Sequence, residues 1–201
     1  PGATPFPIVE DTASVDTAQT QSFKEIAATS EAHTDDTTAD TAGDPRPVVT
    51  GEIVRYRMWG YLPQGVTEGV VLRDLLPTGL EYVAGSQTLV GLVTDSGTDL
   101  AAPGLTCSSG TVDRVGNEST DLSTLALDCV LAPTSGGSGS GSDPQFAIGN
   151  VTNSEDDANE ELVVLELNAR VVGDVAVGTG MDNRFRIQSD NGNSTSGRVY
   201  V

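Results

Sequence analysis

The sequence is poor in the residues that most chemistry and most nucleic-acid binding need. It has one lysine, Lys24, and one histidine, His33, in 201 residues. Its 10 basic side chains face 29 acidic ones, a formal charge of −19. Phosphate binding requires a basic patch, so nucleic acid and anionic membrane are not expected partners. His33 has no Ser, Cys or second His placed near it in a triad-like arrangement and reads as a loop or capping residue. Aromatics are only 4% of the chain, and no pair of carboxylates sits beside an aromatic sugar platform, so a glycosidase ranks last among the functions considered. No apolar run approaches membrane-spanning length, which argues against membrane insertion. No signal peptide opens the chain, and Pro1 in place of Met reads as a processed or excised start. The two cysteines, Cys107 and Cys129, have no companions at metal-ligand spacing. They read as a disulfide closing one turn-rich loop, with two unpaired core thiols as the alternative.

What the chain does have is Gly, Thr, Val and Asp in short alternating runs broken by turn residues. That pattern argues for an antiparallel, immunoglobulin-like β-sandwich. The length suits one domain, residues 21–201, preceded by an extended segment, residues 1–20, that reads as a linker or a donor strand. In that segment Phe6, Ile8 and Val9 form a small apolar patch. Strands are expected at Ser22–Thr29, Glu52–Leu62, 70–76, Ser86–Val93, Leu122–Val130, Leu162–Val172 and Arg198–Val201. Thr94–Gly104 reads as a loop, Cys107–Gly116 as hairpin-like, and the Gly-Ser tract Ser135–Ser142 as a flexible loop. Asn117, Asn150 and Asn193 each start an Asn-x-Ser/Thr sequon. The acidic run NVTNSEDDANEE is the densest in the chain. It lacks the spacing of a helical calcium loop, so Asp156, Asp157 and Glu160 are weak calcium ligands and a solvated turn is the preferred reading. No cofactor is required, and calcium is the one left open.

Strand phase singles out three polar residues. In the run around residue 74, Val70, Leu72, Asp74 and Leu76 share a face, while Val71, Arg73 and Leu75 share the other. Asp74 is thus in phase with the core, where a carboxylate is costly unless something uses it. The alternative is an Asp at a strand end capping the Leu-Pro-Thr-Gly turn. Lys24 is in phase with Ile26 and Ala28, either as an edge lysine reaching water or as a buried, deprotonated amine. Asn183 is in phase with Phe185 and Ile187. Lysine, carboxylic acid and asparagine are together the parts of an intramolecular amide bond. Burial releases a neutral amine and keeps the acid protonated, and proximity supplies most of the acceleration.

The blocks FKEIAATSEAHT, GEIVRYR…LPQGVTEGVVLRDLLPTGLEYVAGS, FAIGNVTNSEDDANEELVVLELNARVV and MDNRFRI come in one order. Over roughly residues 21–201 the chain closely resembles the isopeptide-forming domains of bacterial surface and fimbrial proteins, found also as repeats of domain of unknown function 11. The resemblance implies an immunoglobulin-like sandwich in which the linked lysine precedes the Gly-Glu strand, the acid precedes Leu-Pro, and the asparagine opens a late strand. Those positions match Lys24, Asp74 and Asn183. The loop after Lys24 is long and a Gly-Ser insertion interrupts the middle, so Glu52, Glu81 and Glu166 stand as fallback acids. The expected function is structural: an extracellular, cell-surface module of a fibre, pilus or adhesin, stabilised by a single-turnover Lys–Asn isopeptide bond and not an enzyme. Its expected partners are copies of itself in a head-to-tail filament, or neighbouring repeats. The alternative is a calcium- or carbohydrate-binding surface module.

Overall fold

In a computed structural model, the chain is described over residues 20–35, 41–85, 88–94, 99–112, 122–154 and 161–201. Apart from Thr20, the extended segment expected at 1–20 lies outside them, as do Asn117 and all three weak calcium ligands, Asp156, Asp157 and Glu160. The described residues form strands β1 (Gln21–Thr29), β2 (Ile53–Leu62), β3 (Gly65–Leu75), β4 (Leu80–Tyr82), β5 (Leu89–Val93), β6 (Leu100–Ala101), β7 (Cys129–Val130), β8 (Gln145–Asn153), β9 (Glu161–Val171), β10 (Asp182–Ser189), β11 (Gly192–Thr195) and β12 (Val199–Tyr200). One turn of helix, Ala32–Asp35, and one 3-10 turn, Leu122–Thr124, complete the elements.

Two antiparallel sheets face each other. The first runs β1-β2-β9-β5-β7, with β4 also on β9; the second runs β11-β10-β3-β8-β6, with β12 also on β10. This is the immunoglobulin-like β-sandwich expected from the alternating runs. The inward faces supply the core. Val54, Tyr56 and Met58 of β2 and Val163, Leu165 and Leu167 of β9 meet Val70 and Leu72 of β3 and Phe185 and Ile187 of β10, all essentially without solvent contact. Gly60 continues the inward row of β2 because nothing larger fits. A Cβ there would lie 2.2 Å from Ile187 Cδ1 of the opposite sheet and 2.4 Å from the Gln21 carbonyl oxygen. The small residue lets β1 and the second sheet close together, and the Ser22 and Ser194 hydroxyls bond across that seam at 2.9 Å.

Three local expectations differ. Leu122–Val130 is not one strand: only Cys129–Val130 pairs, and the rest is a 3-10 turn and coil. Leu122, Leu125 and Leu127 are not spaced for a strand face. They lie instead over Val93, Leu162 and Val164 on the outer side of the first sheet, which is why β9 is buried on both faces at its start. The tract Ser135–Ser142 is not a free loop. Gly141 N donates to the Leu80 carbonyl at 2.9 Å and Gly79 N donates to Ser140 Oγ at 2.8 Å. Its glycines at 136, 137, 139 and 141 all take positive φ, so the tract folds tightly against β4 where bulkier residues would be strained. Within Thr94–Gly104, Leu100–Ala101 forms the short strand β6 on β8.

Candidate functional site

The site is made by one strand of the first sheet, β1, facing two of the second, β3 and β10, across the core. β1 pairs with β2 so that Lys24 is opposite Met58 and Ile26 opposite Tyr56. In the second sheet β10 pairs with β3, placing Phe185 opposite Asp74 and Arg184 opposite Leu75. Alternation then puts Asn183 inward, one step diagonal to Asp74 across the ladder. Asp74 is held where it is by β3 running straight into the Leu76-Pro77 stop, with Leu80 N turning back to the Pro77 carbonyl. Asn183 is pinned from its other side by β12, whose Val199 is its partner.

All three side chains are buried. Those of Lys24 and Asp74 are 0% exposed, and Asn183 is equally closed off. Lys24 Nζ donates to Asp74 Oδ1 at 2.5 Å. It also lies 3.1 Å from Met58 Sδ and 4.2 Å from the centre of the Tyr56 ring. Asn183 Nδ2 donates to the other Asp74 oxygen, Oδ2, at 3.4 Å. Asp74 is thus the hinge between a lysine from one sheet and an asparagine from its own. The Asn183 Oδ1 and Tyr56 hydroxyl are buried without completing a hydrogen bond.

Burial dominates the electrostatics. It lowers the Lys24 pKa from its ordinary 10.5 to about 8, against the charge and hydrogen bond of Asp74. It raises Asp74 above the usual carboxylate range, against the pull of Lys24 and Asn183. Both shifts favour the neutral amine beside the neutral acid, which differs from the ion pair only by the position of one proton along the 2.5 Å contact.

The other acids are occupied elsewhere. Glu166 accepts from Arg55 and Arg57 on the outer face of the first sheet, and Glu81 pairs with Arg170. Glu52 is buried and accepts from Val49 N at 2.8 Å, with its second oxygen unpaired. Lys24 pairs with Asp74 and not with any of these three. Cys107 and Cys129 are joined in a disulfide with Cα atoms 5.2 Å apart. Asn150 and Asn193 are exposed. His33 sits in the single helical turn, where its Nε2 and the Thr34 hydroxyl are 3.2 Å apart.

Tyr56 and Met58 beside Lys24 were not singled out by sequence reasoning. Strand phase marks both as inward, but only the β1–β2 register shows which lysine they flank. A second buried acid–amide pair also escaped notice: Asn153 Nδ2 donates to Glu161 Oε2 at 2.9 Å and to the Leu62 carbonyl, tying the two sheets at the start of β9.

No protein-family profile and no curated protein sequence matches this chain. Among solved structures it is similar to the pilus backbone protein RrgB of Streptococcus pneumoniae, at 16% identity and TM-score 0.46, over 87% of this chain and 32% of that one. It is also similar to the major pilin BcpA of Bacillus cereus, at 13% identity and TM-score 0.46, over 91% of this chain and 40% of that one. The major pilin SpaD of Corynebacterium diphtheriae aligns at 12% identity and TM-score 0.42, over 90% of this chain and 35% of that one. The chain therefore spans well under half of each.

Proposed function

We propose that this chain is a structural module of a bacterial surface fibre, locked by an amide bond between Lys24 and Asn183 that Asp74 promotes. The observation that supports this reading is the meeting of one lysine, one acid and one asparagine, all buried, at a single point between the sheets. A structural salt bridge alone does not account for them, because burying an ion pair costs about as much as its attraction returns.

In the reaction the neutral Lys24 amine attacks Asn183 Cγ. Protonated Asp74 polarises the Asn183 carbonyl, which requires the carboxamide to turn its oxygen toward Asp74; the N and O ends of an amide differ little in shape. A proton then passes from Nζ through the Asp74 carboxyl to Nδ2. The Cγ–Nδ2 bond breaks and ammonia leaves, so one amide replaces another with no change of oxidation state. The step runs once per molecule and needs no cofactor.

Intact mass of the reduced, denatured chain tests this. The wild type should weigh one ammonia less than its sequence, while Asp74→Ala and Asn183→Ala should each keep the full mass. Lys24 is the sole lysine, so the lost ammonia cannot come from a different Lys–Asn pair using another amine. A wild type of full mass refutes the cross-link.

Association with copies of the same chain, or with neighbouring repeats, belongs to this reading. The Phe6–Ile8 patch would supply the contact, pairing with a free sheet edge of the next copy. Deleting residues 1–20 should abolish filaments; a full-length chain that stays monomeric at high concentration contradicts self-polymerisation.

A further inference from the structure

The Tyr56 side chain lies against Lys24, at one end of the run of contacts that passes through Asp74 to Asn183. Its ring face lies 4.2 Å from Lys24 Nζ. At the other end, the Asn183 carboxamide acts on the phenol as a hydrogen-bonding neighbour that lowers its pKa, against burial, so the amide's N–H side faces the Tyr56 oxygen. Turning the carboxamide, as the reaction requires, brings Oδ1 to that place. Even so, neither the Tyr56 hydroxyl nor Asn183 Oδ1 completes a hydrogen bond of good geometry, and both are buried. One of these orphans is a donor and the other an acceptor. Buried polar groups left unpaired are uncommon and call for a reason.

We infer that the Tyr56 hydroxyl is the oxyanion donor of the cross-linking reaction, holding Asn183 Oδ1 while Lys24 attacks. This rests on the amide-exchange reading above. When Nζ bonds to Cγ, the carbonyl π electrons move onto Oδ1 and the nitrogen becomes positive. The intermediate therefore carries a negative oxygen and a positive nitrogen side by side. The Tyr56 hydroxyl faces the first charge and its ring face, with a negative quadrupole, faces the second. One rigid side chain answers both charges and shares the oxyanion with protonated Asp74, which also carries the proton from Nζ to Nδ2. The intermediate then collapses, the Cγ–Nδ2 bond breaks and ammonia leaves. The new amide oxygen keeps the Tyr56 hydrogen bond, which satisfies both orphans. Burial raises the phenol well above its ordinary pKa, so it stays protonated and able to donate.

Tyr56→Phe keeps the ring and removes the donor. Chains held unfolded in urea from synthesis onward are diluted to start folding, and ammonia loss is followed by intact mass. Tyr56→Phe should reach the same final mass about 10²-fold more slowly than wild type, the usual effect of removing one oxyanion donor. A merely structural role moves stability instead, so Tyr56→Phe is also placed in the unreactive Asn183→Ala background, where its unfolding midpoint should hardly change. A Tyr56→Phe chain that reacts at the wild-type rate overturns the inference while leaving the cross-link standing. A wild type that never loses ammonia removes the cross-link and this role together. Fluorotyrosine labelling gives a second readout that preserves the core's shape. Its more acidic phenol donates more strongly, so the labelled wild type should react faster; no acceleration also overturns the inference.

Discussion

Removing Asp74 strands an amine in the core, and the cost should be set by pH. The comparison is between Asp74→Ala and the double variant Lys24→Met/Asp74→Ala. Neither can form the cross-link by the proposed route, so the difference isolates an unpartnered Lys24. Its side chain is 0% exposed, and removing Asp74 takes away the carboxylate to which it donates. Leaving one member of a buried pair typically costs about 3–5 kcal/mol. An upper bound comes from deprotonation: bringing the ordinary 10.5 down to about pH 7 costs about 1.4 kcal/mol per unit, or about 5 kcal/mol in all. The sign follows from linkage. In Asp74→Ala the folded state binds fewer protons at Lys24 than the unfolded state, so stability rises with pH until the unfolded amine itself titrates at 10.5. The double variant lacks this slope. Urea unfolding followed through Trp59, the single tryptophan, reads both chains. The gap should be several kcal/mol near pH 7 and shrink to about 1 kcal/mol near pH 10. A gap that does not change with pH, or one under about 1 kcal/mol near pH 7, would show that Lys24 reaches water and would refute the burial on which its reactivity depends.

Three further outcomes follow from the same geometry. The rate of ammonia loss should be bell-shaped in pH: it falls above about 8, the Lys24 value, where the pair loses its shared proton, and falls again in acid where both groups are protonated; a rate that keeps rising with pH excludes Asp74 as an acid. Glu52→Gln, Glu81→Gln and Glu166→Gln should all still lose one ammonia in intact mass, although Glu166→Gln should be destabilised because Arg55 and Arg57 both lean on it; failure of any one to react would move the promoting acid away from Asp74. Reducing the Cys107–Cys129 bond, which spans a separation of 22 residues, should lower stability by about 3 kcal/mol in the chain-entropy model, measured by urea unfolding with and without reductant; an unchanged midpoint would mean the loop is already constrained by its packing.

The inward faces were legible because a strand's period of two is a local property. Val70, Leu72, Asp74 and Leu76 share a face whichever strand lies beside them, and so do Asn183, Phe185 and Ile187. Period does not say which strands pair. That Lys24 lies beside Tyr56 and Met58 depends on the β1–β2 register, a contact between residues far apart in the chain. The leucines after residue 121 were misread for a related reason: they cover the outside of the first sheet, and that demand exists only once β9 is buried on both sides. The two-residue strands β6, β7 and β12 are too short to show any period. Their pairing comes from neighbours already in place. The Gly-Ser tract misled in the opposite direction, since the glycines that make a chain flexible also permit the tight turns packed on β4.

Where Lys24 and Asn183 lie in the chain determines what a bond between them would do under load. Lys24 is near the start of β1, and Asn183 is on β10, hydrogen-bonded to β12 at Val199. Tension entering along β1 and leaving along β12 would ordinarily be carried by the ladders β1–β2 and β10–β12. Hydrogen-bonded ladders yield one by one, and the whole sandwich would then unravel. With an amide between Lys24 and Asn183 the path runs from β1 straight to β10, and residues 25–182 are shunted out of it. Only the residues outside the link can extend. Pulling single molecules under reducing conditions should therefore show little lengthening in the wild type. Asn183→Ala, with the same fold but no electrophile, should release about 160 further residues, on the order of 500 Å at the reach of an extended chain. Equal extensions in the two chains would mean that no covalent bridge carries the load. Lys24 and Asp74 would then be only a buried ion pair, a poor source of stability for its desolvation cost, and the fibre role would lose its mechanical basis.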